Sequence, residues 1–199
     1  MSTANENLSA QESMNLISSM IHKAKNQFSE NGHLYLLWGW TIFICSVFQF
    51  INTELAFIKN AGWIWGLTWV AIIYQIFFLI KKKKKERVKT YTEEINNSIW
   101  MVFGIMMLLL TIIVSRFDAW FVMYSIILVM YGVPTFLSGV LFRFNALKIG
   151  GICCWLLAIL STFIPFKFVI LCLSFAVLIA WIIPGYLLQQ KFKKENLEI

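Results

Sequence analysis

Six apolar stretches, at 34–52, 61–80, 96–114, 119–142, 146–164 and 168–188, contain no Asp, Glu, Arg or His and a single lysine, Lys148. Crossing a hydrocarbon layer of ~30 Å takes about 20 helical residues. In lipid the backbone must satisfy its own polar groups, which a helix does within one segment. The composition agrees: 59% of the chain is hydrophobic and 14% charged, where a soluble domain carries about 45–50% and 25%. The excess needs lipid to cover it. The expected fold class is all-α, a six-helix transmembrane bundle.

The fifth and sixth stretches are divided by Pro165, Phe166 and Lys167 alone. Read as one helix they would span about 52 Å, too long for one bilayer, so a tight hairpin is expected there. Basic residues then set the orientation, because cytoplasmic loops are rich in Lys and Arg close to the membrane. Fourteen of the seventeen basic residues fall on one side and three, Lys59, Arg116 and Lys167, on the other. The strongest signal is Lys81, Lys82, Lys83, Lys84, Lys85, Arg87 and Lys89, in the loop 81–95 after the second stretch. Both termini, including the basic tail 191–199, are therefore expected in the cytoplasm. The lysine run comes directly after a membrane helix and lacks the interleaving of a nucleic-acid surface. Attraction to anionic membrane lipid is compatible with it.

Residues 1–33 are too polar for the apolar core of a cleaved signal peptide. Ser9 to Glu12 has the S-x-x-E form of a capping box. Met14, Ile17, Ile21, Ala24 and Phe28 then recur at spacings of 3, 4, 3 and 4. The reading is an amphipathic helix on the cytoplasmic face, ended by Asn31–Gly32. Trp63, Trp65 and Trp120 fall near one set of span ends and Trp38, Trp40 and Trp100 near the other, as interfacial belts. Trp69, Trp155 and Trp181 lie deeper, where packing is expected. Asp118 is read as the N-cap of the fourth helix. Cys45, Cys153, Cys154 and Cys172 lie in apolar segments without C-x-x-C spacing and read as packing residues.

Proton relays and ion paths need ionisable groups inside the membrane, and the spans offer none away from their ends. The two histidines, His22 and His33, read as solvated and lie beside no hydrolase or metalloprotease pattern. No catalytic, cofactor-binding or metal-binding residue is assigned, and no cofactor is implied. Gln49 and Gln75 are the largest polar side chains within the spans. Pro134 and Pro184, each with x-aromatic-Leu after it, stand 50 residues apart. Both lie late on helices running the same way, a weak parallel repeat. These four residues mark the candidate cavity or hinge. Small residues mark the candidate helix packing: Gly62 and Gly66, then Gly150, Cys154 and Ala158, then Cys172, Ala176 and Ala180. They serve packing within the bundle or a homodimer seam.

"NGHLYLLWGW" from Asn31, "YGVPTFLSGVLFRFNALKIGGICCW" from Tyr131 and "IPGYLL" from Ile183 resemble an uncharacterised family of small multi-pass membrane proteins from Bacteroidetes. The resemblance implies a bacterial inner-membrane location and no mechanism. The layout of six spans behind an inner-surface helix is also similar to permease subunits of some ABC exporters. The expectation is a non-enzymatic membrane component, a sensor, scaffold or partner subunit acting through its cytoplasmic helix on a membrane or cytosolic protein. A transporter of a neutral, apolar or lipidic substrate is the alternative, and a lipid-active enzyme a distant third.

Overall fold

The computed structural model describes the backbone of residues 10–56, 58–59, 61–85 and 91–197. Side chains are described from Gly32 onward, except at 61, 82–85, 93, 192 and 194–197. All secondary structure among the described residues is helical: α1 (Ala10–Leu55), a 3-10 helix (Ala61–Gly66), α2 (Leu67–Lys85), α3 (Tyr91–Phe117), α4 (Trp120–Leu141), α5 (Asn145–Ser161), α6 (Phe166–Val177), a π-helical stretch (Leu178–Ile182) and α7 (Ile183–Leu197). Five segments are long and apolar enough to cross a membrane. The remaining one, α5, has 17 residues and reaches about 26 Å. The architecture is an all-α bundle that fits a membrane protein.

The first correction concerns α1. Asn31–Gly32 does not end a helix; Ala10–Leu55 is one unbroken run of 46 residues. Gly32 is spent on contact instead: an added Cβ would lie 3.0 Å from the Gly185 carbonyl oxygen. A glycine ends a helix where the chain turns, but at a helix crossing the same missing Cβ admits a neighbouring backbone. Ser9 and the side chains of Met14, Ile17, Ile21, Ala24 and Phe28 lie outside the described residues, as do those of Lys82 to Lys85, with Arg87 and Lys89.

The bundle is built around α6, the π stretch and α7, which form one rod. Of the most apolar 18 residues in each span, 56% are buried in Phe166–Lys191 but 6% in Gly62–Lys81 and 6% in Glu94–Phe117. The α1 helix lies along one side of the rod, α5 along another, and α4 pairs with α5. Helix α2 leans on α1 and α3 on α4, so both are outer helices with broad lipid-facing surfaces. The small residues explain how α5 comes so close: an added Cβ on Gly150 would lie 2.7 Å from Ala180 Cα. Cys154 and Ala158 continue that stripe and are buried, as are Cys172 and Ala176 on α6, which α5 also meets. Gly132, Gly139 and Gly151 do the same between α4 and α5.

Gly62 and Gly66 pack differently. An added Cβ would meet nothing within 4 Å at either, because they lie in the 3-10 helix Ala61–Gly66. At three residues per turn, positions four apart no longer share a face, so this G-x-x-x-G makes no stripe within the chain. Asp118 is a further correction. It sits at φ 50°, just past α3; the N-cap of α4 is Ala119, with no side-chain cap bond. Aspartate tolerates the left-handed conformation that such a turn demands.

Polar side chains stitch the helices where lipid would otherwise leave them unpaired. Ser46 and Ser174 join α1 to α6 at 2.7 Å, and Ser161 donates to Ser125 at 2.7 Å between α5 and α4. At the end away from Lys81, Lys167 pairs with Glu54 at 3.0 Å. There the Asn52 side chain accepts from Ile58 N–H and donates to Ile58 O, closing the turn after α1.

Candidate functional site

The inward stripe of α3 is Asn96, Trp100, Phe103, Met107, Leu110 and Val114, at spacings of 4, 3, 4, 3 and 4. Asn96 and Val114 are buried, and the four between them pack on the core. The stripe packs on α4 and touches α1 through Tyr35, with its aromatics at the end nearer Lys81. Trp100 stands edge-on to Tyr35 of α1 with ring centroids 5.5 Å apart, and 6.0 Å from Trp181 of the π stretch. Trp181 lies 4.4 Å from the ring of Tyr131, which Phe103 approaches to 5.8 Å. Offset and edge-on aromatic contacts of this kind hold their geometry better than aliphatic packing.

Polar groups are set among these rings. The Trp181 indole N–H donates to Thr135 Oγ1 at 2.9 Å, and the Thr135 hydroxyl donates to the Tyr131 carbonyl at 2.7 Å. Ser138 donates to Asn96 Oδ1 at 2.8 Å, tying α4 to α3. Tyr35 is 4% exposed. Ser138 and the Trp100 indole lie within weak hydrogen-bonding reach of its hydroxyl, though neither makes a close, well-aligned bond to it. The arrangement can hydrogen-bond and stack, and every member is uncharged.

Both prolines stand beside this cluster in sequence. Pro134, buried inside α4, adjoins Thr135, while Pro184 opens α7 three residues after Trp181. The Thr135–Trp181 bond thus joins the two proline segments. Their local geometries differ, however. In the rod, Ile183 N–H bonds to Leu178 O, a five-residue π turn, directly before the residue that lacks an N–H. Such a widened turn gives the Pro184 ring room against the preceding carbonyls. Helix α4 carries Pro134 with no π stretch, so the two segments share residues and not shape.

Gln75 and Gln49 lie elsewhere. Gln75 Oε1 accepts from the Trp38 indole at 2.6 Å, fastening α2 to α1. Gln49 Oε1 is buried without a partner, nearer the other end of α1. His33 is not simply solvated: its Nε2 lies 3.1 Å from the Tyr74 hydroxyl and its ring 5.4 Å from that of Phe78; the side chain of His22 is outside the described residues. Trp100, expected at an interface, is half-buried and packs against the core. Trp69, expected to pack, is 68% exposed. The four cysteines are free, three of them buried. Among the described residues no group of three or more His, Cys, Asp or Glu could hold a metal ion.

Sequence reading passes over Tyr35, Asn96, Thr135 and Ser138. Asn96 heads a six-residue stripe at heptad-like spacing, and that signal is present in the chain. Tyr35 gives none, since a tyrosine near a span end is ordinarily interfacial. Comparison with protein-family models, curated proteins and solved structures finds no match for this chain.

Proposed function

We propose that this chain is a non-enzymatic component of a bacterial inner membrane, with both termini in the cytoplasm, that couples its bundle to a partner through the extension of α1. The observation that carries this reading is the unbroken helix Ala10–Leu55. The part before Gly32 reaches about 33 Å beyond the span. It is continuous with a segment locked to the rod at Gly32 and Gly39, where an added Cβ would lie 2.7 Å from Ile182 Cγ1. A rigid lever of this kind transmits a shift of the bundle to whatever binds its far end. The basic asymmetry and the apolar stripe from Met14 to Phe28 support the placement and a docking role.

The test is photo-crosslinking in cells from positions 14, 17, 21 and 28, on the apolar stripe. A discrete protein adduct is expected, lost when a Gly-Gly pair inserted after Asn31 breaks the lever without reducing membrane insertion. Adducts with lipid alone at every position would overturn the reading.

A second reading, passage of a neutral, apolar or lipidic substrate, is favoured by one observation: two proline segments, one with a π turn, joined by a buried indole–hydroxyl bond. Liposome reconstitution tests it. Uptake driven by a pH gradient, with an ionic substrate and indifferent to both prolines, would exclude it.

A further inference from the structure

Resting on the partner reading above, we propose that the stripe of α1 before Met20 docks an acidic amphipathic helix of a cytosolic protein, on the bundle's side of the lever. Gly32, Tyr35, Gly39, Ile42 and Ser46 are all buried and form one face of α1, at spacings of 3, 4, 3 and 4. Met14, Ile17, Ile21, Ala24 and Phe28 repeat those spacings eighteen residues earlier. Eighteen residues make five turns of an α-helix, and α1 is unbroken from Ala10. The apolar stripe is therefore the buried face of the span, carried on past the membrane. It lies on the side where the rod stands.

Neighbouring helices do not reach all of it. Gly32 crosses α7 at Gly185, and α7 runs twelve residues further to Leu197, so its end is level with Met20. His33 meets Tyr74 and Phe78, which puts the end of α2 at Lys85 level with Asn26. Tyr35 meets Trp100, so α3, starting at Tyr91, begins at that same level. Ala10 to Met20 thus stands clear of every other described helix over about 15 Å.

Position separates the occupants of such a stripe. Lipid is too far away: Ile17 stands about 22 Å along the helix from Gly32, where the span begins. A second copy in the same membrane is misplaced, since two stripes brought face to face would put each bundle where the other stands. A cytosolic protein meets neither obstacle. Its chemistry follows from the charge around the stripe. Lys23 and Lys25 on α1, Lys81 to Lys85 at the end of α2, and Lys191, Lys193 and Lys194 on α7 lie at its base by their positions along these helices. Fourteen basic residues against eight acidic ones fall on this side of the spans, so an acidic surface is drawn in and a basic one repelled. Spacings of 3 and 4 are those by which one helix receives another.

The test uses the full chain in phosphatidylcholine nanodiscs and two labelled synthetic helices of about three heptads, one of Leu and Glu and its twin of Leu and Lys. Saturable binding of the Leu–Glu helix, above that to empty discs, is expected, and it should weaken as salt is raised. The Leu–Lys twin should show none. Diazirine groups on the bound helix should label α1 between Ala10 and Ile21 and the last turn of α7. Met14→Ser with Ile17→Ser should weaken binding about tenfold or more, from the lost apolar contact. Ser19→Ala, on the opposite face of α1, should leave it unchanged. All three changes lie clear of the other described helices, so the fold of the bundle is not at stake. Equal binding of the two helices, or binding indifferent to the serines, would overturn the proposal. So would a disulfide between copies formed through Ile17→Cys, or labelling of Ile17 from the lipid phase. Any of these results alongside a protein adduct from the stripe in cells would sink this proposal and leave the partner reading standing; lipid adducts alone in cells would end both.

Discussion

At residue scale, one residue type has opposite meanings in different places, and glycine shows it most clearly. Gly150 is pressed against the backbone of the π stretch, whereas Gly62 faces open space. Gly150→Ala should therefore destabilise by about 1–3 kcal/mol, the range for overpacking. Gly62→Ala should be neutral or stabilise slightly, through the reduced freedom of the unfolded chain. Thermal denaturation of both variants in one detergent decides it, and equal effects would contradict the packing described. The Trp181–Thr135 bond is measurable in the same way. A double-mutant cycle of Trp181→Phe and Thr135→Val should give a coupling of about 0.6 kcal/mol and no more than about 1.7. A coupling near zero would mean that the bond adds nothing to packing.

At the scale of the element, the π stretch depends on Pro184, two residues beyond its end. That proline removes one backbone donor and crowds the preceding carbonyls, and the widened turn from Leu178 to Ile182 accommodates both. Restoring the donor with Pro184→Ala should let this stretch revert towards an α-helix. Loss of one widened turn rotates the preceding residues, so Trp181 should leave Thr135 and its neighbourhood should exchange backbone hydrogens faster. Hydrogen–deuterium exchange of peptides covering 170–190 measures this. Pro134→Ala, with no π stretch to relax, should change exchange in α4 far less. The contrast could not be foreseen from the x-aromatic-Leu pattern that the two prolines share. A helix defect is set by the neighbours that take up the freed carbonyls, and those neighbours are distant in sequence.

At the scale of the whole molecule, consecutive spans alternate in direction, so the end of α2 at Lys85, the turn Phe142–Phe144 and the end of α7 at Leu197 lie at one end. Reporter fusions after residues 90, 144 and 199 should all read cytoplasmic, and fusions after 58, 118 and 165 periplasmic. A periplasmic signal at 199 would show that α5, with its 17 residues, does not cross. Replacing Lys81 to Lys85 with glutamine should blur this orientation while insertion persists, because apolar length drives insertion and flanking charge directs it.

The sequence by itself determined the class and the six apolar helical segments, though not that the first of them runs on unbroken from the N-terminal helix. Each of these comes from local quantities: apolar length, charge beside a span, a proline between two spans. The small-residue stripe Gly150–Cys154–Ala158 was legible for the same reason, since helical spacing alone puts its members on one face. The tertiary structure decided which faces meet. Gly32 terminates a helix in isolation and crosses Gly185 in the fold. Trp100 suits an interface in isolation and packs between Tyr35 and Trp181 in the fold. Hydrophobicity carries little of this choice inside a membrane, where every apolar face is equally content against lipid. Close backbone approach and the pairing of a few hydroxyls, indoles and amides select the partners instead, and these are properties of pairs of residues far apart in the chain.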